Sequence, residues 1–324
     1  MNGSDLLLKK ESVNRQFLAS TISLTSYLVH PCVRTAWRKQ LPRTKAFVLM
    51  MNKVNKRELL IHPSTWVREH QRYGCLGTAY DYLVGAIWAR KGLQSVFDRV
   101  EKVSERTPRL MRSVTRLKQL LAIEKQNVLG QRESKKSQDF YRALGGLADL
   151  DAMFRAPVPP PAWVYSSRLD SLKDLRAQLR RHYPDEFVVE LKALFAATIK
   201  DLPRPKGIVY NPGFGGWVGT KCPDGLGSLM IAADGDLILG DMLLDLKVSV
   251  DLYSWDRFWQ LLGYAALDRA AGRNRIKSVG LYNPRYGVLW HEPVEDLIQH
   301  LGGGGFEEFW VWFTENADKI IKPV

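Results

Sequence analysis

Residues 231–247 constrain this chain more than any other stretch. Two apolar runs, Leu237 to Leu239 and Met242 to Leu244, flank Gly240-Asp241, the pattern of two antiparallel strands joined by a tight turn. If residue 239 faces 242, Asp236 lies opposite Asp245 and Asp234 opposite Lys247. Strand side chains alternate, so all four then project from one face. Carboxylates gathered on an otherwise apolar ribbon are costly to bury without a counter-charge, which a divalent cation supplies. An oxygen-only donor set suits Mg²⁺ or Mn²⁺ rather than zinc. Lys247, beside the cation, would position or deprotonate a water that attacks phosphorus. The expected chemistry is phosphodiester hydrolysis.

At these residues the chain resembles the PD-(D/E)XK nuclease superfamily, in which an Asp on one strand is followed by Asp/Glu-x-Lys on the next. Asp236 matches the first element and Asp245-Leu246-Lys247 the second. Further along, Gln260-Leu-Leu-Gly-Tyr264 resembles the Gln-x-x-x-Tyr signature of the RecB-type branch. Its i, i+4 spacing puts both side chains on one helix face. Gly77-Thr-Ala-Tyr-Asp81 is similar to that branch's Gly-x-x-x-His element, with Asp in place of His. A carboxylate oxygen suits Mg²⁺ at least as well as imidazole does. The resemblance implies a restriction-endonuclease-like α/β (α+β) core, a mixed central β-sheet with flanking helices. It also implies that Asp236, Asp245 and the Leu246 carbonyl hold the metal, with Asp81 as a further candidate ligand; Asp234, which shares the face of Asp236, is either another ligand or a turn residue. Lys247 would orient the attacking water, and Gln260 and Tyr264 would steady the substrate strand or the lysine.

Charge is divided unevenly along the 324 residues. The net charge is +13, yet residues 201–324 hold 12 Lys+Arg against 16 Asp+Glu, and residues 1–200 hold 35 against 18. A mildly acidic part carries the carboxylates, and a strongly basic part can track a polyphosphate, which favours DNA as the partner. Three cysteines, Cys32, Cys75 and Cys222, are odd in number and widely spaced. They suit neither a disulfide framework nor the four-cysteine iron–sulfur cluster of some RecB-type nucleases, and packed thiols are expected. No run approaches the ~18 apolar residues of a membrane span, and the first residues lack a basic segment leading into an apolar core. A cytoplasmic location without membrane contact is expected.

The chain divides into a basic, mainly helical region over 1–156, a linker with helices over 157–204, the nuclease core over 205–300 and an aromatic helix over 301–324. Lys45 to Met51 fits a buried strand or a helix equally well. Ser64 is a candidate N-cap, and the helix over 74–90 is expected to complete the core. From Glu101 to Lys136, ten Lys/Arg and four Glu surround an apolar stripe that ends at Gly130. This predicts an amphipathic helix or helical hairpin offering Arg109, Arg112, Arg116 and Lys118 to phosphates. Pro157 to Ala162 breaks the chain, and helical spacing resumes over 166–200. Gly-rich residues 208–221 fail as a Walker loop because Thr220 separates the last Gly from Lys221. Trp255 to Ala271 reads as a helix ending at Gly272, with Arg257 on the side of Gln260 as a phosphate ligand. Residues 276–282 and 288–290 read as paired strands, with Arg285 at their turn as a nucleic-acid contact. The alternative to catalysis is a nuclease-fold subunit that holds nucleic acid or scaffolds a repair or phage-defence complex. No helicase motif is present, so unwinding would fall to a partner protein.

Overall fold

The expected hairpin forms with the expected register. In the computed structural model, β5 (Leu237–Leu239) pairs antiparallel with β6 (Met242–Leu246), Leu239 facing Met242 and Leu237 facing Leu244. Gly240 turns the chain at φ +69°, a conformation glycine adopts without a Cβ clash. The structure describes residues 21–90, 92–104, 107–129, 138–155, 159, 161–165, 171–202, 207–221 and 227–321. Pro157, Val158 and Pro160 of the proline run, the Gly130 break and Cys222 lie outside the described residues.

The fold is mixed α/β, with two mixed sheets rather than one central sheet. Three strands, β1 (Thr21–Ser23), β3 (Gly213–Lys221) and β4 (Gly227–Asp234), form one in the order β1-β4-β3. The other runs β2-β5-β6-β7-β8, with β2 at Val209–Tyr210, β7 at Ser278–Asn283 and β8 at Val288–Pro293. The helix Trp255–Ala270 makes the crossover between the parallel strands β6 and β7, a connection that parallel pairing requires.

Alternation along β5, β6 and β7 sends apolar side chains into two separate cores. Leu237, Leu244, Leu246 and Tyr282 join the helices over residues 67–202. Ile238, Leu243, Val279 and Leu281 join the Trp255–Ala270 helix, the leading helices over 24–51 and the C-terminal helix Phe306–Ile321. The larger sheet therefore lies between two helical layers, and β6 is buried on both faces from Leu243 to Leu246.

The ambiguous run Lys45–Met51 is part of the helix Thr44–Val54, which buries Phe47 and Met51 against the second core. Ser64 does cap its helix, accepting the Val67 N–H at 3.3 Å. The basic stripe is a pair of helices, Gln94–Ser104 and Pro108–Leu129. The aromatic tail docks through Phe309 and Phe313, which pack edge-on against the buried Trp37. Cys32 is exposed rather than packed, and Cys75 is partly buried.

Candidate active site

The register of the hairpin brings Asp236 and Asp245 to facing positions one step beyond the Leu237–Leu244 pair. Asp236 precedes β5, and its Oδ2 accepts the Leu246 N–H at 2.6 Å. That bond ties the first acid to the strand that carries the second. Asp245 is buried to 1 % exposure, and the Lys247 ammonium lies 2.7 Å from both of its carboxylate oxygens. Asp245 on β6 and Lys247 just past its end, two positions apart, fall on the face on which the Trp255–Ala270 helix packs.

A third acid arrives from the other helical layer. The helix Tyr73–Leu83 carries Asp81, whose Oδ2 accepts the Tyr210 hydroxyl at 3.4 Å. Two glycines allow this approach. A Cβ on Gly77 would stand 3.3 Å from the Val248 side chain, and one on Gly85 would stand 2.1 Å from the Tyr210 ring. Gly85 sits in a π-helical turn, Val84–Trp88, that continues the Asp81 helix, a distortion often found beside functional residues.

The acids act on one another. Burial first, then Asp245 and Asp81, hold the Asp236 carboxyl well above the usual carboxylate range, against the opposing pull of Lys247. Burial draws the Lys247 ammonium down, but Asp245 and Asp236 outweigh it and leave the lysine raised. Lys247 is therefore a cation at neutral pH, able to donate hydrogen bonds but not to take a proton. Burial and then Asp81 raise the Tyr210 hydroxyl.

Gln260 and Tyr264 do look back at the hairpin. The Gln260 amide donates to the Tyr264 hydroxyl at 2.6 Å, and that hydroxyl donates to the Asp234 carbonyl at 3.0 Å. The Tyr264 hydroxyl is raised by burial and then by Asp245 and Asp236, which places it within their field.

Asp234 departs from the expected arrangement. It ends β4 of the smaller sheet, where it faces Gly213, and its side chain is 44 % exposed and 3.6 Å from Arg99. The chain changes sheets between Asp234 and Leu237, so alternation along a single strand no longer places Asp234 beside Asp236. It offers the site a backbone carbonyl instead. Arg99 also holds the buried Asp151 at 3.2 Å and so links the basic helices to the end of β4.

Two expected phosphate contacts are structural instead. Arg285 is fully buried, ion-paired with Glu190, and donates to the Val248 and Ile61 carbonyls. Arg257 is 7 % exposed and fixes the loop after β6 by donating to the Asp251 and Leu252 carbonyls at 2.6 Å. On the Pro108–Leu129 helix, Arg109 and Arg112 are exposed, Arg116 bonds Gln119 at 3.1 Å and Lys118 pairs with Glu101 at 2.8 Å. Tyr210 and Arg99 escaped the sequence reading, since neither stands at a spacing that marks a site.

Among the described residues no three His, Cys, Asp or Glu side chains stand together as a metal-ligand set. Asp81 presses on Asp236 electrostatically without completing one. A hard cation at this place would have the neighbouring Asp236 and Asp245 carboxylates as its protein donors. Mg²⁺ commonly takes one or two carboxylates and fills its remaining positions with water and substrate phosphate. The Asp236 carboxyl is raised by burial first and by the neighbouring acids second, and a bound cation would relieve the second of these. Comparison with protein-family models, curated proteins and solved structures finds no match to this chain.

Proposed function

We propose that this chain is a metal-dependent nuclease with a restriction-endonuclease-like core of the RecB-type PD-(D/E)XK kind, hydrolysing phosphodiester bonds, foremost in DNA. The observation that carries the reading is the Asp245–Lys247 contact at 2.7 Å on a hairpin whose register sets Asp236 opposite Asp245. A bound Mg²⁺ or Mn²⁺ would polarise the scissile phosphate and acidify a water.

The chain's own residues supply the rest. Lys247, kept charged by its two acids, orients the attacking water and stabilises negative charge developing on phosphorus oxygens. Asp236, tied to the Leu246 N–H, cannot swing away from the strand end. The Gln260–Tyr264 pair holds the backbone at Asp234, which fixes the chain entering the site. Exposed Arg109 and Arg112 offer phosphate contacts outside the site. No helix among the described residues is long and apolar enough to cross a membrane.

Lys247→Ala should abolish cleavage of linear and circular DNA with Mg²⁺, while oligonucleotide affinity stays within about twofold. Full activity in that variant would refute the assignment.

A further inference from the structure

The loop that leads from Lys247 to the Trp255–Ala270 helix borders a cavity of about 300 Å³, lined among others by Asn55, Lys56, Arg57, Asp251, Tyr253 and Ser254. Three independent features of its wall suit an anion.

First, Lys56 and Arg57 are exposed, and neither makes an ion pair among the described residues. They outnumber the one carboxylate of the wall, Asp251. Second, Tyr253 is 3 % exposed and its hydroxyl has no hydrogen-bond partner. Its ring is clamped between Phe258, stacked at 6.0 Å, and Trp290, edge-on at 6.4 Å, so it cannot turn elsewhere for one. Burial pushes this hydroxyl up to about 12 while Arg57, close by, pulls it down. It is therefore a neutral donor at physiological pH. An unpaired buried hydroxyl is costly, and a ligand oxygen that accepts from it removes that cost. Third, Ser254 is the N-cap of a 16-residue helix and makes no side-chain capping bond, so backbone N–H groups of its first turn, which also carries Asp256, are left for a ligand at the same wall.

The loop is held rigidly for this purpose. Asn52 donates to the Tyr253 carbonyl at 3.0 Å and accepts its N–H at 3.3 Å, while Arg257 anchors the carbonyls of Asp251 and Leu252. We propose that this cavity is a phosphate subsite, in which Lys56, Arg57, the Tyr253 hydroxyl and the start of the Trp255–Ala270 helix hold one phosphate of the nucleic-acid strand entering the Lys247 site. The subsite rests on the nuclease reading for the identity of its ligand. A terminal phosphate monoester and an internal diester present the same oxygens to it.

The test is fluorescence anisotropy with a labelled single-stranded DNA oligonucleotide in EDTA, so that binding is read without cleavage. The oligonucleotide is used with a 5′-phosphate and with a 5′-hydroxyl. Arg57→Ala should weaken binding about tenfold, the scale of one charge-assisted phosphate contact, and reduce the salt slope by about 0.7, the contribution of one phosphate on a single strand. Tyr253→Phe, which keeps the ring packing, should weaken binding about threefold. Loss confined to the 5′-phosphorylated oligonucleotide marks a terminal-phosphate site, and equal loss on both marks an internal one. Unchanged affinity and salt slope in both variants, or no binding by the wild type, overturns the subsite. A wild type that binds through Arg57 but never cuts would sink the nuclease reading and leave the subsite standing. Cleavage with normal affinity in Arg57→Ala would do the reverse.

Discussion

Replacing Asp236 by Asn should make the metal-free protein more stable while removing its response to Mg²⁺. Facing side chains on paired strands lie about 5 Å apart, so ionising Asp236 beside the Asp245 carboxylate costs about 3 kcal/mol at an effective dielectric near 20, a cost the unfolded chain does not meet. Lys247, in contact with Asp245, cancels part of this, leaving about 1–2 kcal/mol. The Asn side chain keeps an oxygen to accept the Leu246 N–H that Asp236 now accepts at 2.6 Å, so the change removes charge and little else. In EDTA at pH 7 the variant should melt about 2–6 °C above the wild type. The pH dependence follows from the same cause. The folded state holds a proton on Asp236 at pH values where the unfolded chain has lost it. Metal-free wild type therefore loses stability as pH rises from the ordinary carboxylate range through the raised value, and Asp236→Asn flattens that segment. Saturating Mg²⁺, at about a hundred times its dissociation constant, should then stabilise the wild type by about 2.7 kcal/mol and the variant by much less. Differential scanning calorimetry with and without Mg²⁺ gives both numbers. A variant that melts below the wild type in EDTA, or an equal Mg²⁺ shift in the two proteins, would refute the reasoning.

Two further substitutions separate scaffold from site. Arg285→Ala leaves Glu190 buried without its counter-charge and the Val248 and Ile61 carbonyls without their donor; urea unfolding should show a loss of about 3–5 kcal/mol, and a loss under about 1 kcal/mol would contradict a structural role. Gly85→Ala places a Cβ 2.1 Å from the Tyr210 ring, so it should cost about 1–3 kcal/mol by overpacking and slow cleavage by shifting the hydroxyl beside Asp81. A stable, fully active Gly85→Ala protein would show that the Tyr210–Asp81 contact is dispensable.

What the sequence by itself determined was local. A two-residue turn with Gly at its first position fixes the register of the strands beside it, and register with alternation fixes which side chains face each other. That is why Asp236, Asp245 and Lys247 could be read as one cluster from residues 231–247 alone, and why Gln260 and Tyr264, four apart, could be set on one helix face. The tertiary structure decided everything that depends on where a strand goes next or what covers an element. Asp234 looked equivalent to Asp236 by alternation, but the chain leaves for another sheet between them. Arg257 and Arg285 looked like free cations by spacing, yet burial turned both inward to satisfy backbone carbonyls and, for Arg285, a carboxylate. Asp81 reaches Tyr210, on the strand beside the hairpin and 129 positions away in sequence, because two glycines let its helix approach closely at Val248 and Tyr210. Periodicity describes one element at a time, whereas burial and charge pairing belong to contacts between elements that no local pattern encodes.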